Sequence, residues 1–201
     1  MGISSVFDTR KQLTFYGAYH NNPTNIFIHI TCVPLLVWSF QVLTAGVPLP
    51  DFIPSVHHKI NDYLTFDLNF PALMAATYLA YYFILDPVAA ALYAPQSVLT
   101  LLTATAFSSR SDALSIAGAL HGVSWIAQFL GHGLAERRAP ALLDNLLGAV
   151  VLAPFFVHLE LLFGLGYRPD LHHDVQNGVG MEIAKIRKAE GDKKRAKTKD
   201  L

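Results

Sequence analysis

Residues 121–138 read HGVSWIAQFLGHGLAERR. Most of this stretch is apolar enough for a membrane interior, yet it carries two histidines, a serine, a glutamine and a glutamate. At about 100° per residue, His121, Ser124, Gln128, His132 and Glu136 project from one face of a helix, with Trp125 beside them. Val123, Ile126, Ala127 and Leu130 occupy the opposite face. A helix divided in this way shows lipid or packed neighbours its apolar side and turns its polar groups inward. Ionisable groups inside a membrane are costly and usually mark a functional site. The simpler use of such groups is a hydrogen-bond network that holds helices together. Five polar groups on one stripe favour the functional use.

The rest of the chain has the same character. Hydrophobic residues make up 52 % of its 201 residues and charged residues 15 %, with a mean hydropathy of +0.35. An ordinary soluble domain averages about 25 % charged residues. Charges are scarce from Ile26 to Gly166 and crowd together after Glu182. This split predicts an all-α, multi-pass membrane bundle over residues 1–170 that carries the chemistry, with the lipid bilayer as its solvent, and a charged cytosolic tail over residues 171–201. A formal net charge of +0, with no basic surface interleaved with aromatics, argues against nucleic acid as a partner. The single cysteine, Cys32, lies in an apolar run, so no intrachain disulfide forms. The opening residues MGISSVFDTRKQL lack the apolar core of a secretory signal.

Working outward, Phe7–Tyr19 reads as a short amphipathic helix, and HNNPTN as a turn that breaks it, with Asn25 as N-cap of the next helix. Ile26–Thr44 is 19 residues without a formal charge, His29 aside, about the length that crosses a bilayer core. Residues 45–69 read as a loop. Phe70–Leu85, Val88–Phe107 and Ala113–Leu134 are further apolar runs, and Leu142–Gly166 is a fifth with Pro154 near its middle. Four crossings put Arg10, Lys11, Arg137, Arg138 and the Lys/Arg-rich tail on one side, which positive charge makes cytosolic. The fifth run then leaves and returns, bent at Pro154 as a re-entrant segment; six shorter crossings are the alternative. The terminal KTKDL resembles a dilysine signal for retrieval to the endoplasmic reticulum, which agrees with a cytosolic tail.

On that topology His20, His29 and His132 share one depth near the cytosolic interface. The turn after His20 can fold it back towards His29. His121 lies about 16 Å above His132 along the helix, too far to share a metal whose bonds are about 2 Å long. Glu136 is one turn from His132 and can share a centre with it. Three histidines and a carboxylate suit Fe(II), Zn or a similar ion. Gly131 and Gly133 allow another element close to His132. His57, His58, His172 and His173 read as solvated, and His158 as a core histidine.

At these residues the chain resembles the fungal 2-hydroxy fatty acid dioxygenases of the endoplasmic reticulum membrane. The segments that carry the resemblance are FYGAYHNNPTNIFIH (Phe15–His29), WIAQFLGHGLAERRAPALLDNL (Trp125–Leu146) and VLAPFFVHLELLFGLGY (Val151–Tyr167). The resemblance implies an Fe(II)-dependent oxidoreductase that converts a long-chain 2-hydroxy fatty acid and O2 to a fatty acid one carbon shorter, in the degradation of phytosphingosine. It carries the family's metal-binding histidines onto His20, His29 and His132, and less securely onto His121. Glu136 is then a fourth ligand or a proton acceptor. Asn25, Gln128, Arg137 and Asn145 are candidates to orient ligands or to meet the substrate's anionic head group.

Two other readings stand beside this one: a haem carrier with His29 and His132 as axial ligands, and a non-enzymatic helical membrane protein whose stripe is only helix glue. A membrane di-iron enzyme is disfavoured because no HxxxH pair occurs. The sequence leaves oligomeric state and chain-length preference open.

Overall fold

The computed structural model describes residues 6–137 and 148–199. Helix α1 (Thr9–Tyr19) starts at Asp8, whose carboxylate accepts the Lys11 N–H at 3.1 Å. Helix α2 (Pro23–Thr44) is capped by Asn22, whose Oδ1 accepts from Thr24 N at 2.9 Å. The cap therefore lies three residues before the expected Asn25. The expected break is present, since α1 ends at Tyr19 and residues 20–22 are not helical; proline is compatible with the first helical turn, where its missing N–H costs nothing, so Asn22-Pro23 also starts α2. Asn25 is drawn inside the bundle and is completely buried.

The segment read as a loop contains a hairpin. Strands β1 (His57–Asn61) and β2 (Leu64–Asp67) pair antiparallel, with His57 opposite Asp67 and His58 opposite Phe66. The all-α expectation is corrected to a mostly helical fold with one hairpin. Phe66 packs on Ala72, Ala75 and Leu101, an apolar site that no local pattern announces.

Helices α3 (Phe70–Leu85) and α4 (Pro87–Ser108) meet at Asp86, which ends the first and caps the second by accepting from Ala89 N at 3.1 Å. Helix α5 (Ala113–Leu130) continues into a π-helical turn over Gly131–Glu136, closed by the Arg137 N–H on the His132 carbonyl, five residues back. Arg137 itself is left-handed, with φ of 56°. A second π-helical turn, Gly148–Leu152, leads into α6 (Ala153–Gly164), and α7 (Pro169–Lys199) follows.

Directions alternate along α2–α5. His29 lies by His132 and Ser39 by His121, so α2 and α5 are antiparallel. Trp38 reaches Thr103 while Ala72 and Ala75 pack on Leu101, so α4 runs with α2 and against α3. Helices α2, α4 and the α5–π unit are long and apolar enough to cross a membrane, and α6 with α7 forms a bent pair that would make four. Helix α3 is apolar but shorter, at 16 residues.

Pro154 does not bend a helix: it sits in the first turn of α6. The sharp turn of 117° comes after Gly164, through Gly166 (φ 87°) and Arg168 (φ 45°). There a tyrosine and an arginine converge on Asp86, with Tyr167 Oη at 2.8 Å and Arg168 Nη1 at 2.6 Å. Burial would raise the Asp86 carboxyl, but the N–H of Ala89, the Tyr167 hydroxyl and the Arg168 guanidinium together hold it below the ordinary carboxylate range.

The main core joins Leu13 and Tyr16 of α1, Tyr82 of α3, Phe155 and Phe156 of α6, and Val175, Val179 and Ile183 of α7. The first half of the segment read as a tail thus belongs to the packed body. A Cβ on Gly17 would lie 2.6 Å from Val179 Cγ2, and one on Gly178 would lie 2.8 Å from Thr14 Oγ1. Only glycine at these two places lets α1 and α7 approach so closely.

Candidate metal centre

Three imidazoles from three elements meet at one end of the bundle. His20 follows α1, His29 lies in the second turn of α2, and His132 sits in the π-helical turn. Their rings touch edge to face, with centroids 4.3 Å (His20–His29), 4.7 Å (His20–His132) and 4.9 Å (His29–His132) apart. One nitrogen from each lies within 4.8 Å of the other two.

Second contacts orient the rings. His20 Nδ1 lies 2.9 Å from the Tyr16 carbonyl, and His29 Nδ1 lies 2.9 Å from the Asn25 carbonyl. A carbonyl only accepts, so both Nδ1 atoms carry the proton and both Nε2 lone pairs are free to ligate, the arrangement expected of metal-binding histidines. Tyr16 also stacks on His20 with centroids 4.0 Å apart and planes 14° apart. Burial, and then the neighbouring His29, push the His20 imidazole well below its ordinary pKa, so it is neutral near pH 7.

His132 Nδ1 is buried without a hydrogen-bond partner among the described residues. An orphaned buried nitrogen is costly, and ligation of a cation relieves that cost. Three neutral imidazoles are a donor set suited to Fe(II), Zn or a similar ion, so the residues present fit a metal.

The polar stripe of α5 faces inward as its spacing predicts. Ser124, Gln128 and His132 are buried, whereas Val123, Ile126 and Leu130 are exposed. The glycines flanking His132 differ. A Cβ on Gly131 would fall 2.5 Å from Asn25 Oδ1 and 3.1 Å from Ile28 Cδ1, but one on Gly133 would meet none of the described residues within 4 Å. Gly131 alone lets α2 approach the site.

His121 stands apart from the three. Trp125 Nε1–H donates to its Nε2 at 3.0 Å, and its Nδ1 lies 2.9 Å from Ser39 Oγ. With Nε2 accepting, Nδ1 donates to Ser39, which passes its own proton to the Leu36 carbonyl at 3.2 Å. Both nitrogens are committed in this arrangement, and His121 links α5 to α2.

Glu136 commits one carboxylate oxygen to the backbone beside His20. Its Oε1 accepts from Asn21 N and Asn22 N, both at 2.6 Å, and from Asn25 Nδ2 at 3.4 Å. Gln128 Nε2 and Asn25 Oδ1 are buried without partners among the described residues, and Arg137 is exposed. Asn145 lies outside the described residues. Tyr16 and Asn22 were not anticipated as site residues. The Asn-Pro pair was the available signal for Asn22, while nothing local marks Tyr16, whose role depends on α1 packing.

The family model described as 2-hydroxy-palmitic acid dioxygenase Mpo1-like matches residues 6–165. The chain belongs to this family. It is 33 % identical over 181 residues to the 2-hydroxy-palmitic acid dioxygenase MPO1 of Saccharomyces cerevisiae, an overlap that covers 85 % of this chain and 91 % of the yeast protein. No solved structure matches the chain. The family match includes all three histidines, the Glu136 turn and the α6 segment; the whole of α7 lies beyond it.

Proposed function

We propose that this Mpo1-like protein is an Fe(II)-dependent dioxygenase of the endoplasmic reticulum membrane that shortens long-chain 2-hydroxy fatty acids by one carbon. The observation that carries the reading is the meeting of His20, His29 and His132, within 4.8 Å of one another, in a chain similar to a yeast 2-hydroxy-palmitic acid dioxygenase. The overall change balances as 2-hydroxy acid plus O2 giving the shorter acid, carbon dioxide and water. It fits the acid released when phytosphingosine is broken down.

His20, His29 and His132 would hold the iron through one ring nitrogen each. Bound there, Fe(II) would supply a Lewis-acid and redox centre for a substrate that offers a carboxylate and a neighbouring hydroxyl. The chain's own groups do the rest. The Tyr16 and Asn25 carbonyls hold two imidazoles in the ligating tautomer. Gln128 Nε2, a buried donor without a partner among the described residues, is suited to an anionic or hydroxyl oxygen. Arg137, exposed beside the π-helical turn, would attract the carboxylate from the interface. The acyl chain would lie along the apolar helices, which favours a site at membrane depth. Four crossings by α2–α5 would leave this end of the bundle and both termini cytosolic.

Close ring contacts weigh against the haem reading, because imidazoles in mutual edge contact leave no room for a flat macrocycle between them. The test is to purify the protein anaerobically in detergent, load Fe(II), and supply a long-chain 2-hydroxy fatty acid with O2. Mass spectrometry is expected to show the acid one carbon shorter, with loss of bound iron and product in His132→Ala. Full iron content and turnover in that variant would overturn the assignment.

A further inference from the structure

We infer that Glu136 is a positioning residue: its carboxylate ties the π-helical turn that bears His132 to the backbone that bears His20 and His29, and so sets the spacing of the metal site. The inference rests on the metal-centre reading above.

The geometry is reciprocal. Glu136 Oε1 takes two consecutive backbone N–H groups, Asn21 and Asn22, at 2.6 Å each, and the Asn25 side-chain amide at 3.4 Å. In return Asn22 Nδ2 donates to the Ala135 carbonyl at 3.2 Å. The two segments lie more than a hundred residues apart in sequence. Amides at a helix start have no partner within the helix, and Pro23 offers none, so the carboxylate fills a real need there. Charge-assisted bonds of this kind are about twice as strong as neutral ones.

The clamp touches each ligand-bearing segment. Asn21 directly follows His20. Asn22 caps the helix on which His29 stands. Glu136 lies one turn after His132. The π-helical turn matters here because it changes the angle between His132 and Glu136 from that of a plain helix. His132 is turned to the imidazoles and Glu136 to the amides. Oε1 is thereby committed to the backbone that carries His20 and His29.

The test uses Co(II) as a spectroscopic substitute in the purified full chain, with wild type, His132→Ala, Glu136→Gln, Glu136→Ala and Asn22→Ser compared. Glutamine keeps an accepting oxygen at the same reach, and serine keeps the N-cap but removes the donor to Ala135. Positioning predicts that Glu136→Gln retains the wild-type Co(II) spectrum, an affinity within a few-fold of wild type, and turnover. Glu136→Ala is expected to lose about 10–100-fold in affinity, and Asn22→Ser a few-fold. The last comparison stands even where Glu136→Ala does not fold. Unchanged spectrum and affinity with abolished turnover in Glu136→Gln would make Glu136 a base, and an altered spectrum in the same variant would make it a ligand. Wild-type affinity in both Glu136→Ala and Asn22→Ser would remove the clamp. Equal Co(II) binding by wild type and His132→Ala would instead overturn the metal-centre reading itself.

Discussion

At the scale of single residues, the site is set by what can stand next to the histidines. Gly131 and Gly133 look alike in sequence, yet among the described residues only Gly131 faces another element. Alanine at 131 drives a methyl to 2.5 Å from Asn25 Oδ1, against a residue whose carbonyl holds His29. Overpacking of this kind costs about 1–3 kcal/mol. Gly131→Ala is therefore expected to lower the thermal midpoint in detergent and to reduce metal content. Gly133→Ala, with open space around its Cβ, should leave both within error of wild type. Equal behaviour of the two variants would refute the packing argument. The same contrast explains why His121 and His132 differ: they lie on one stripe, but His121 is saturated by Trp125 and Ser39, whereas His132 Nδ1 has no partner among the described residues.

At the scale of elements, the joints between helices carry the polar work. Asp86 ends α3, caps α4, and receives Tyr167 and Arg168 from the bend before α7. Its side chain is almost fully buried, while Arg168 is half exposed. Loss of an N-cap costs about 1 kcal/mol, and loss of a hydrogen bond to a charged group about 1.5–3 kcal/mol before screening. Asp86→Ala is accordingly expected to destabilise the fold by roughly 2–3 kcal/mol near pH 7. The sign of the pH dependence follows from the depressed folded pKa. The stabilisation is full above the unfolded carboxyl value of about 3.9 and is lost as pH falls through the folded value. The gap between wild type and variant should narrow as pH falls through the folded value, and a gap that kept its neutral-pH size in strong acid would contradict this account.

At the scale of the whole molecule, the helix that follows the bend is part of the packed body that carries the histidines. Val175, Val179 and Ile183 of α7 are buried in the same cluster as Leu13 and Tyr16 of α1, and Tyr16 stacks on His20. Each such side chain is worth about 1.5–3 kcal/mol when buried. A chain ending at Lys188 keeps all three and is expected to retain its midpoint and its metal. A chain ending at Arg168 loses them, uncovers α1, and should lose several kcal/mol together with most metal binding. Full metal content in the shorter chain would show that α7 does not support His20.

Much of this could be read from the chain alone. The apolar runs and the inward stripe of α5 follow from composition and a period of 3.6 residues, because lipid and a packed core impose that pattern on every helix. The three histidines could be grouped because a shared depth follows from counting passes. What the residues did not announce depended on contacts between segments far apart. Asn22 rather than Asn25 caps α2 because Asn25 is claimed by the bundle interior. Phe66 and Thr65 fold a hairpin because helices offer them an apolar surface. The chain turns at Gly166 and Arg168 rather than at Pro154 because Asp86 waits there as a buried partner. Glu136 reaches the backbone amides of Asn21 and Asn22 from a π-helical turn that no local pattern announces. Local pattern determines which segments are buried; only tertiary packing decides which polar atom each buried group will meet.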